Sequence, residues 1–470
     1  MLHTLRGTRP AAPLDAAIET RRPLLARILR ERGTEDLLSF SRSNLRDLPR
    51  PSALRLKEFL GSVRTVLEPR IGGEKTAAVC RQLGTYFVAC SADHHGPLNG
   101  SPLVNVVGSN VWLAAGIRSM SDPELSHIVV LSCAGVSQNV EDYPRGVLFS
   151  SLQVGTWCTR DIPILPSSRR MSVVYGHRAW TKEETSRAGK ILESMERENL
   201  ITAVERTVVS GLLREVYASP EALGSRDLLE QVTRVNRALW KRLWGEELPE
   251  LVYLDMESLA AVLLAGHHLT QETPFHAMLF SEAGRRHLQS LEDAMAPSLR
   301  QGKQPTDLFW ALSDGGRRVR LTLEGNVLIP GDGSPAIPLE PSAIADALAS
   351  KKIFPSLFLS LSLLHLYYGL NCLGGAGQIQ YLDAVSTAYR NTGLDPEAPS
   401  PRSDLYNFGP DFLFLDEECR FPAHALDILL HGGPNCFRTL ESSLKEVTLA
   451  QAFAHSSHVI STILSVTEPS

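Results

Sequence analysis

The sequence predicts an α/β protein with a parallel sheet and extensive helical additions. Two short apolar runs, Tyr86 to Cys90 and His127 to Gly135, each give way abruptly to a polar loop punctuated by glycine or proline. Helical periodicity fills the segments around them, and strand–helix alternation of this kind builds parallel sheets. The 470 residues are 43% hydrophobic and 21% charged, which supplies a core of ordinary globular size for two or three domains or one elaborated one.

In chain order, residues 1–70 read as a charged helical arm. The stretch ETRRPLLARILRERG sets apolar residues on one face and arginines on the other, as a packing or oligomer contact would, and a homodimer is the assembly it would serve. Residues 71–180 hold the first part of the α/β core, with a third strand expected over Met171 to Tyr175, before Gly176-His177-Arg178. Residues 181–300 read as a helical region. It opens on a Thr181–Glu184 capping box and breaks around Ser219-Pro220 and around Glu246 to Glu250. Residues 301–410 read as the second part of the core. A hairpin or small meander turns at Asp314-Gly315-Gly316 and Gly325-Asn326, an apolar helix runs from Ile353 to Leu370, and a glycine loop follows. Residues 411–470 form a helical tail.

Composition excludes several classes. A net charge of −5 lacks the basic footprint that neutralising phosphates demands, so nucleic acid is not an expected partner. Arg169-Arg170 and Arg317-Arg318-Val319-Arg320 read as solvated surface, with an anion clamp as the alternative. The longest apolar stretch contains Pro355 and His365 and fits a buried helix better than a membrane span. The N-terminal segment has no continuous apolar h-region, so a cytoplasmic location without a secretory signal is expected. Seven cysteines, an odd number without C-x-x-C spacing, argue against a zinc ribbon and a disulfide framework.

Ligands of open parallel sheets bind beyond the carboxyl ends of the strands. Three segments are therefore candidates. The first is Asp93-His94-His95-Gly96-Pro97-Leu98-Asn99, where one imidazole would act as general base or hold a substrate while Asp93 fixes its tautomer. Metal ligation is a second reading of the same trio, and a satisfied structural role a third. The second segment follows the strand beginning at His127. Arg145 would clamp a carboxylate or phosphate, and Asn139 and Tyr143 would orient polar groups; an exposed Pro-Arg-Gly turn is the alternative. The third is Leu373-Gly374-Gly375-Ala376-Gly377-Gln378, with Tyr381 beyond it. Glycines before a helix let backbone approach a ligand, and a helix N-terminus favours an anion. It has neither G-x-G-x-x-G spacing nor the Lys-Ser/Thr of a P-loop, and a glycine-rich cap between packed helices is the alternative. His267, His268, His276, His365, His455 and His458 fall in helical pattern and read as packing residues; no G-x-S-x-G elbow is present.

The stretch from Asp307 to about Arg402 resembles the bacillithiol synthase (cysteine-adding enzyme) family. The shared order is the DLFWALSDGGRRVRL hairpin, an apolar helix after Lys352, the glycine loop before GQIQYL, and AYRNTGLDPEAPSPR. Gly374, Gly375 and Gly377 match the family's loop, Tyr381 its tyrosine, Arg402 its arginine, and DHHGPLNGSPLVN resembles its His-Gln-Pro-Gly loop. The sequence departs where Gln378 replaces a Glu and VSQNVEDYPRG replaces an acidic motif, and no coiled-coil pattern follows Arg402. The resemblance implies a Rossmann-like core and a ligase or transferase joining an amine to an activated carboxylate in small-molecule biosynthesis. His94 or His95 would deprotonate the amine, Arg145 and Arg402 would hold acidic groups, and Asn99, Gln378 and the glycine loop would contact substrate. Carboxylate activation makes ATP the candidate cofactor, ahead of a metal ion. A metal-dependent hydrolase using Asp93, His94 and His95, and a non-catalytic helical scaffold, are the competing readings.

Overall fold

The computed structural model describes residues 3–4, 18–19, 22–91, 95–96, 107–138, 145–246, 248–299, 308–402, 404–405, 413–415, 421, 423–433 and 436–455. Helix α1 (Pro23–Arg32) buries Leu24, Leu25, Ile28 and Leu29 along one stripe. The Asp36 side chain caps α2 (Leu37–Ser43) by accepting the Ser39 N–H at 2.9 Å. Helices α3 (Ala53–Ile71) and α4 (Gly73–Tyr86) are joined at Gly72, whose φ of 85° permits the sharp reversal. Phe87 then takes a left-handed conformation, and β1 (Val88–Cys90) begins.

Helix α5 (Val107–Met120) leads to β2 (His127–Ser132) and then to an antiparallel hairpin, β3 (Gly146–Gln153) and β4 (Thr156–Pro163). Four helices follow: α6 (Lys182–Arg197), α7 (Ala203–Leu212), α8 (Pro220–Leu223) and α9 (Leu228–Trp244). Strand β5 (Glu250–Asp255) runs directly into α10 (Met256–Leu263), followed by α11 (Pro274–Phe280) and α12 (Glu282–Leu299). A meander of β6 (Phe309–Leu312), β7 (Arg318–Glu324), β8 (Val327–Pro330) and β9 (Ile337–Pro338) precedes α13 (Pro341–Ala349). Strand β10 (Ile353–Pro355), α14 (Leu357–Leu361), β11 (Asn371–Leu373) and α15 (Ala376–Asn391) complete the core, and α16 (Cys436–Glu446) and α17 (Leu449–His455) close the described chain.

Strands β11, β1, β2 and β5 form a parallel sheet in that order, with Cys372 opposite Ala89, Cys90 opposite Val130 and Ser132 opposite Asp255. By order of appearance the strands lie 4-1-2-3, so the winding reverses between β1 and β11. Cys90, Val130 and Tyr253 enter one core with α1, α2, α5 and α9, while Ala89, Val129 and Val252 enter another with α3, α4 and α10. Burial on both faces explains why the strands are apolar runs rather than alternations. The meander forms a separate antiparallel sheet ordered β9-β8-β7-β6-β10, as its turn residues predict. Among the described residues, no helix is long and apolar enough to cross a membrane.

Several expectations change. Helix α4 extends to Tyr86, so the first strand is only three residues long. Met171 to Tyr175 forms no strand; Val173 makes one isolated bridge with Ser137. The helical region contains β5, one of the two edge strands of the parallel sheet. The apolar segment from Ile353 starts as β10 and becomes helical only at Leu357, and Asn371 to Leu373 is a sheet strand. The glycine loop thus follows a strand and opens a helix. The β3–β4 hairpin was not foreseen, although its two-residue turn is marked by Val154 and Gly155, at φ 46° and 79°.

Candidate functional site

The carboxyl ends of the four parallel strands gather the chemistry. Beyond β1, the Ser91 N–H donates to the Leu373 carbonyl at 2.8 Å, and Gln378 Nε2 donates to Ser91 Oγ at 2.6 Å. The end of β1 and the start of α15 are therefore in contact where the winding reverses. A Cβ at Gly374 would collide with the Gln378 side chain, so glycine lets Gln378 fold back over the loop. Gly375 caps α15 without a side-chain acceptor, and a Cβ there would meet none of the described residues within 4 Å. Gly377 is the second residue of α15. Tyr381 is only 8% exposed and packs beneath the sheet edge; burial first, then the neighbouring Cys372 and Cys133, push its hydroxyl pKa up.

His95 sits beyond the end of β2. Its N–H donates to the Cys133 carbonyl at 2.8 Å. Its ring Nε2 lies 3.0 Å from the Leu229 carbonyl, which can only accept, so Nε2 carries the proton and Nδ1 accepts from Ser132 Oγ at 2.8 Å. Thr233 Oγ1 is 3.3 Å from Nε2, and Tyr253 packs edge-on at 5.6 Å. Burial pushes the pKa down to about 4, so the ring is neutral. Both nitrogens are engaged, Nε2 pegging the loop to α9 and Nδ1 to Ser132 at the end of β2, and this geometry does not match the expected role of His95 as the deprotonating base. Asp93, His94, Asn99, Asn139 and Tyr143 lie outside the described residues.

Two arginines occupy other places. Arg145 opens the hairpin, donating from its guanidinium to the Leu165 carbonyl at 2.9 Å and accepting at its own carbonyl from Ile164 and Leu165. Arg402 lies at the amino end of β11: its N–H donates to Asn371 Oδ1 at 3.0 Å, and its guanidinium pairs with Asp404 at 3.0 Å. The glycine loop leaves the opposite end of that strand. Arg402 therefore does not join the loop in holding one substrate group, as the sequence suggested; a carboxylate two residues away takes its fork.

The sequence reading missed the carboxylates at the end of β5. Asp255, fully buried, pairs with Arg70 and caps α10 by accepting the Ser258 N–H at 2.9 Å. Burial opposes its ionisation, but Arg70, His95 and Ser258 together hold its pKa down to about 2. Glu257, 2% exposed, accepts the Ala134 N–H at 2.9 Å, the Gly135 N–H at 2.7 Å and the Cys133 thiol at 3.2 Å. Burial first, and then the charge of Asp255, raise its pKa to about 7. A Cβ on Gly135 would stand 2.6 Å from Phe354 Cε2 and 2.9 Å from Glu257 Oε1, so glycine is required for the carboxylate to reach these amides. Outside this loop, exposed Arg318 reaches the Gly135 carbonyl at 3.4 Å and stacks over Trp310 at 4.6 Å. The signal was present as Leu254-Asp255-Met256-Glu257, an apolar run ending in paired carboxylates, but helical pattern on both sides disguised the strand.

Among the described residues, no three His, Cys, Asp or Glu side chains are grouped to hold a metal ion. The metal-dependent hydrolase reading rests on Asp93, His94 and His95, of which Asp93 and His94 lie outside those residues. No protein-family model matches the chain, and no curated protein matches it in sequence.

Proposed function

We propose that the protein is a small-molecule ligase or transferase with a Rossmann-like core, joining an amine to an activated carboxylate in biosynthesis as the bacillithiol synthase resemblance implies. The Gln378–Ser91 contact carries this reading, because it brings the glycine-opened helix α15 beside the end of β1 at the reversal of winding, where doubly wound sheets bind ligands. The space that the described residues leave at Gly375 and the lack of a side-chain acceptor at the start of α15 suit an anionic group. Exposed Arg318 supplies a cation at the neighbouring strand end. His94, oriented by Asp93, is the proposed base, since His95 is committed to the fold. Glu257 is a positioning residue that orders the loop from Cys133 to Gly135. ATP would serve as co-substrate by activating the carboxylate.

Gly375→Val tests the site at a position where an added Cβ meets no described atom within 4 Å. Isothermal titration of ATP and of L-cysteine into the wild-type chain should give saturable binding of at least one. The variant should bind that ligand at least tenfold more weakly at an unchanged Tm. If neither ligand binds, or the variant binds as well as wild type, the reading is wrong.

A further inference from the structure

The two arginine runs of the sequence meet at one imidazole. Arg169 ends a short 3-10 turn (Ser167–Arg169), with Arg170 next to it, and Arg317 follows the turn Asp314-Gly315-Gly316. The His177 ring lies between the two segments. Arg169 Nη1 stands 3.1 Å from each ring nitrogen. Gly316, at φ 72°, approaches the ring so closely that a Cβ would stand 3.1 Å from His177 Cδ2 and Nε2. The Val173 N–H donates to the Gly316 carbonyl at 2.8 Å and holds the turn in place. Arg317 therefore leaves the chain one residue from the ring that Arg169 touches.

Counter-charge is lacking here. Among the described residues, Arg169, Arg170 and Arg317 form no ion pair, and Asp314, in the same turn, pairs with none of them. Glu184 is already taken: Arg178 grips its two oxygens at 3.0 and 2.9 Å, and the Thr181 N–H donates to it at 2.9 Å. Equal spacing from both nitrogens puts Arg169 Nη1 over the His177 ring rather than in line with a lone pair, and the Arg178 N–H occupies Nδ1 at 3.0 Å. Beyond the ring, the Arg169 guanidinium reaches the Arg178 carbonyl at a long 3.5 Å. Burial first, then Arg178, lower the Arg169 pKa; burial, Arg169 and Arg178 hold His177 down to about 4. Half-buried cations crowded in this way are stabilised by an anion that reaches them.

We propose that Arg169, His177 and Arg317 bind the phosphate group of a small phosphate monoester. Arg170 and Arg317 are exposed, and Arg169 and His177 are half-buried, so a ligand reaches them from solvent. The planar Arg169 fork matches two phosphate oxygens. A phosphate monoester carries close to two negative charges at neutral pH, enough to offset both arginines, where a carboxylate carries one. With that charge beside it, the His177 ring holds a proton more readily and donates to the same group. None of these residues belongs to the glycine loop or to the end of β1, so the site stands apart from the one proposed for the reaction.

The probe is inorganic phosphate, titrated into the full chain at low and at moderate salt. Saturable one-to-one binding that weakens with salt is expected, and acetate should bind about tenfold more weakly. Arg169→Gln should weaken phosphate by about tenfold, the loss of a charge-assisted fork. Arg317→Gln, at an exposed side chain outside the core, should weaken it about two- to threefold, with Tm reporting that both variants are folded. Arg214→Gln removes a 74% exposed arginine elsewhere and should leave binding unchanged. The imidazole proton resonance that vanishes in His177→Gln should titrate at a higher pH in saturating phosphate, because the anion offsets Arg169 and Arg178 while Glu184 keeps its partners. The Gly375→Val chain should bind phosphate like wild type. Absence of saturable binding, acetate bound as tightly as phosphate, unchanged affinity in Arg169→Gln, or a His177 resonance indifferent to phosphate would overturn the inference. Equal weakening in Arg214→Gln would overturn it by revealing a diffuse charge effect. Loss of binding in Gly375→Val would overturn it too, placing the anion in the cleft and leaving the proposed function standing.

Discussion

At the residue scale, close approach matters more than residue type. Gly135 is the clearest case. Its φ is unexceptional, and what demands glycine is the buried Phe354 ring and the Glu257 carboxylate on the side where a methyl would point. Phe354 is 1% exposed and cannot swing away. Gly135→Ala should destabilise the protein by about 1–3 kcal/mol, the usual cost of overpacking, measured as a fall in the urea midpoint at constant m. An unchanged midpoint would show that the loop has room to shift. The histidines show the converse. His95 was legible as an unusual residue in an unusual loop, but its task depends on Leu229 and Ser132, far from it in the chain. No local pattern states which carbonyl an imidazole will meet.

At the element scale, one buried ion pair ties several segments together. Arg55 of α3 pairs with Asp395 at 2.7 Å, with side-chain exposures of 7% and 2%. It also donates to the carbonyls of Tyr367 at 2.9 Å and Glu397 at 3.2 Å, and stacks over the Tyr367 ring at 4.1 Å. Asp395 in turn accepts from the Tyr389 hydroxyl at 2.9 Å. Helix α3, the turn before β11 and the segment after α15 are thus clamped at one point. Arg55→Met strands a buried carboxylate and should cost about 3–5 kcal/mol in chemical denaturation. Adding Asp395→Leu should recover part of that loss, and a double variant as weak as the sum of the singles would refute the coupling. Element type was legible where composition was decisive. The capping box at Thr181 forms as expected, with the Thr181 N–H donating to Glu184 at 2.9 Å, and the meander turns where its glycines stand. The strands β5 and β11 were not legible, because runs of six and three residues flanked by helical pattern are too short to show a period of two.

At the scale of the whole molecule, buried ionisable groups set the pH response. His95, His365 and His424 are held down to about 4 and His268 to about 3, in each case chiefly by burial. The unfolded chain binds protons at these four sites below about pH 6.5 while the folded chain does not, so stability is lost as pH falls from there toward 4. Glu257 and Asp427 are raised to about 7, again chiefly by burial. They act in the opposite sense: the folded chain holds their protons longer, and stability falls as pH rises through the carboxylate range to about 7. His177 is also held down to about 4, by burial first and then by Arg169 and Arg178, and His127 and His431 are lowered too, so imidazoles outweigh the two carboxyls in the shared window. Unfolding should take up protons net between about pH 4.5 and 6.5, so stability should fall as the pH is lowered through that window. Tm measured across that range should drop on acidification; a Tm that climbs instead would mean the carboxyls dominate.

The sequence alone determined that the chain is a mixed α/β protein with a parallel sheet, that its meander turns at Asp314 and Gly325, and that the loops after β1 and before α15 are the unusual ones. Those features follow from local chemistry: apolar runs, turn residues and glycine. Tertiary structure alone decided that β11 lies beside β1, that Glu257 reaches the amides after β2, and that Arg402 stands at the wrong end of its strand to share the glycine loop's ligand. These outcomes depend on which strand neighbours which. Strand order is set by the burial of two faces at once, a property of the assembled layers that no stretch of a dozen residues contains.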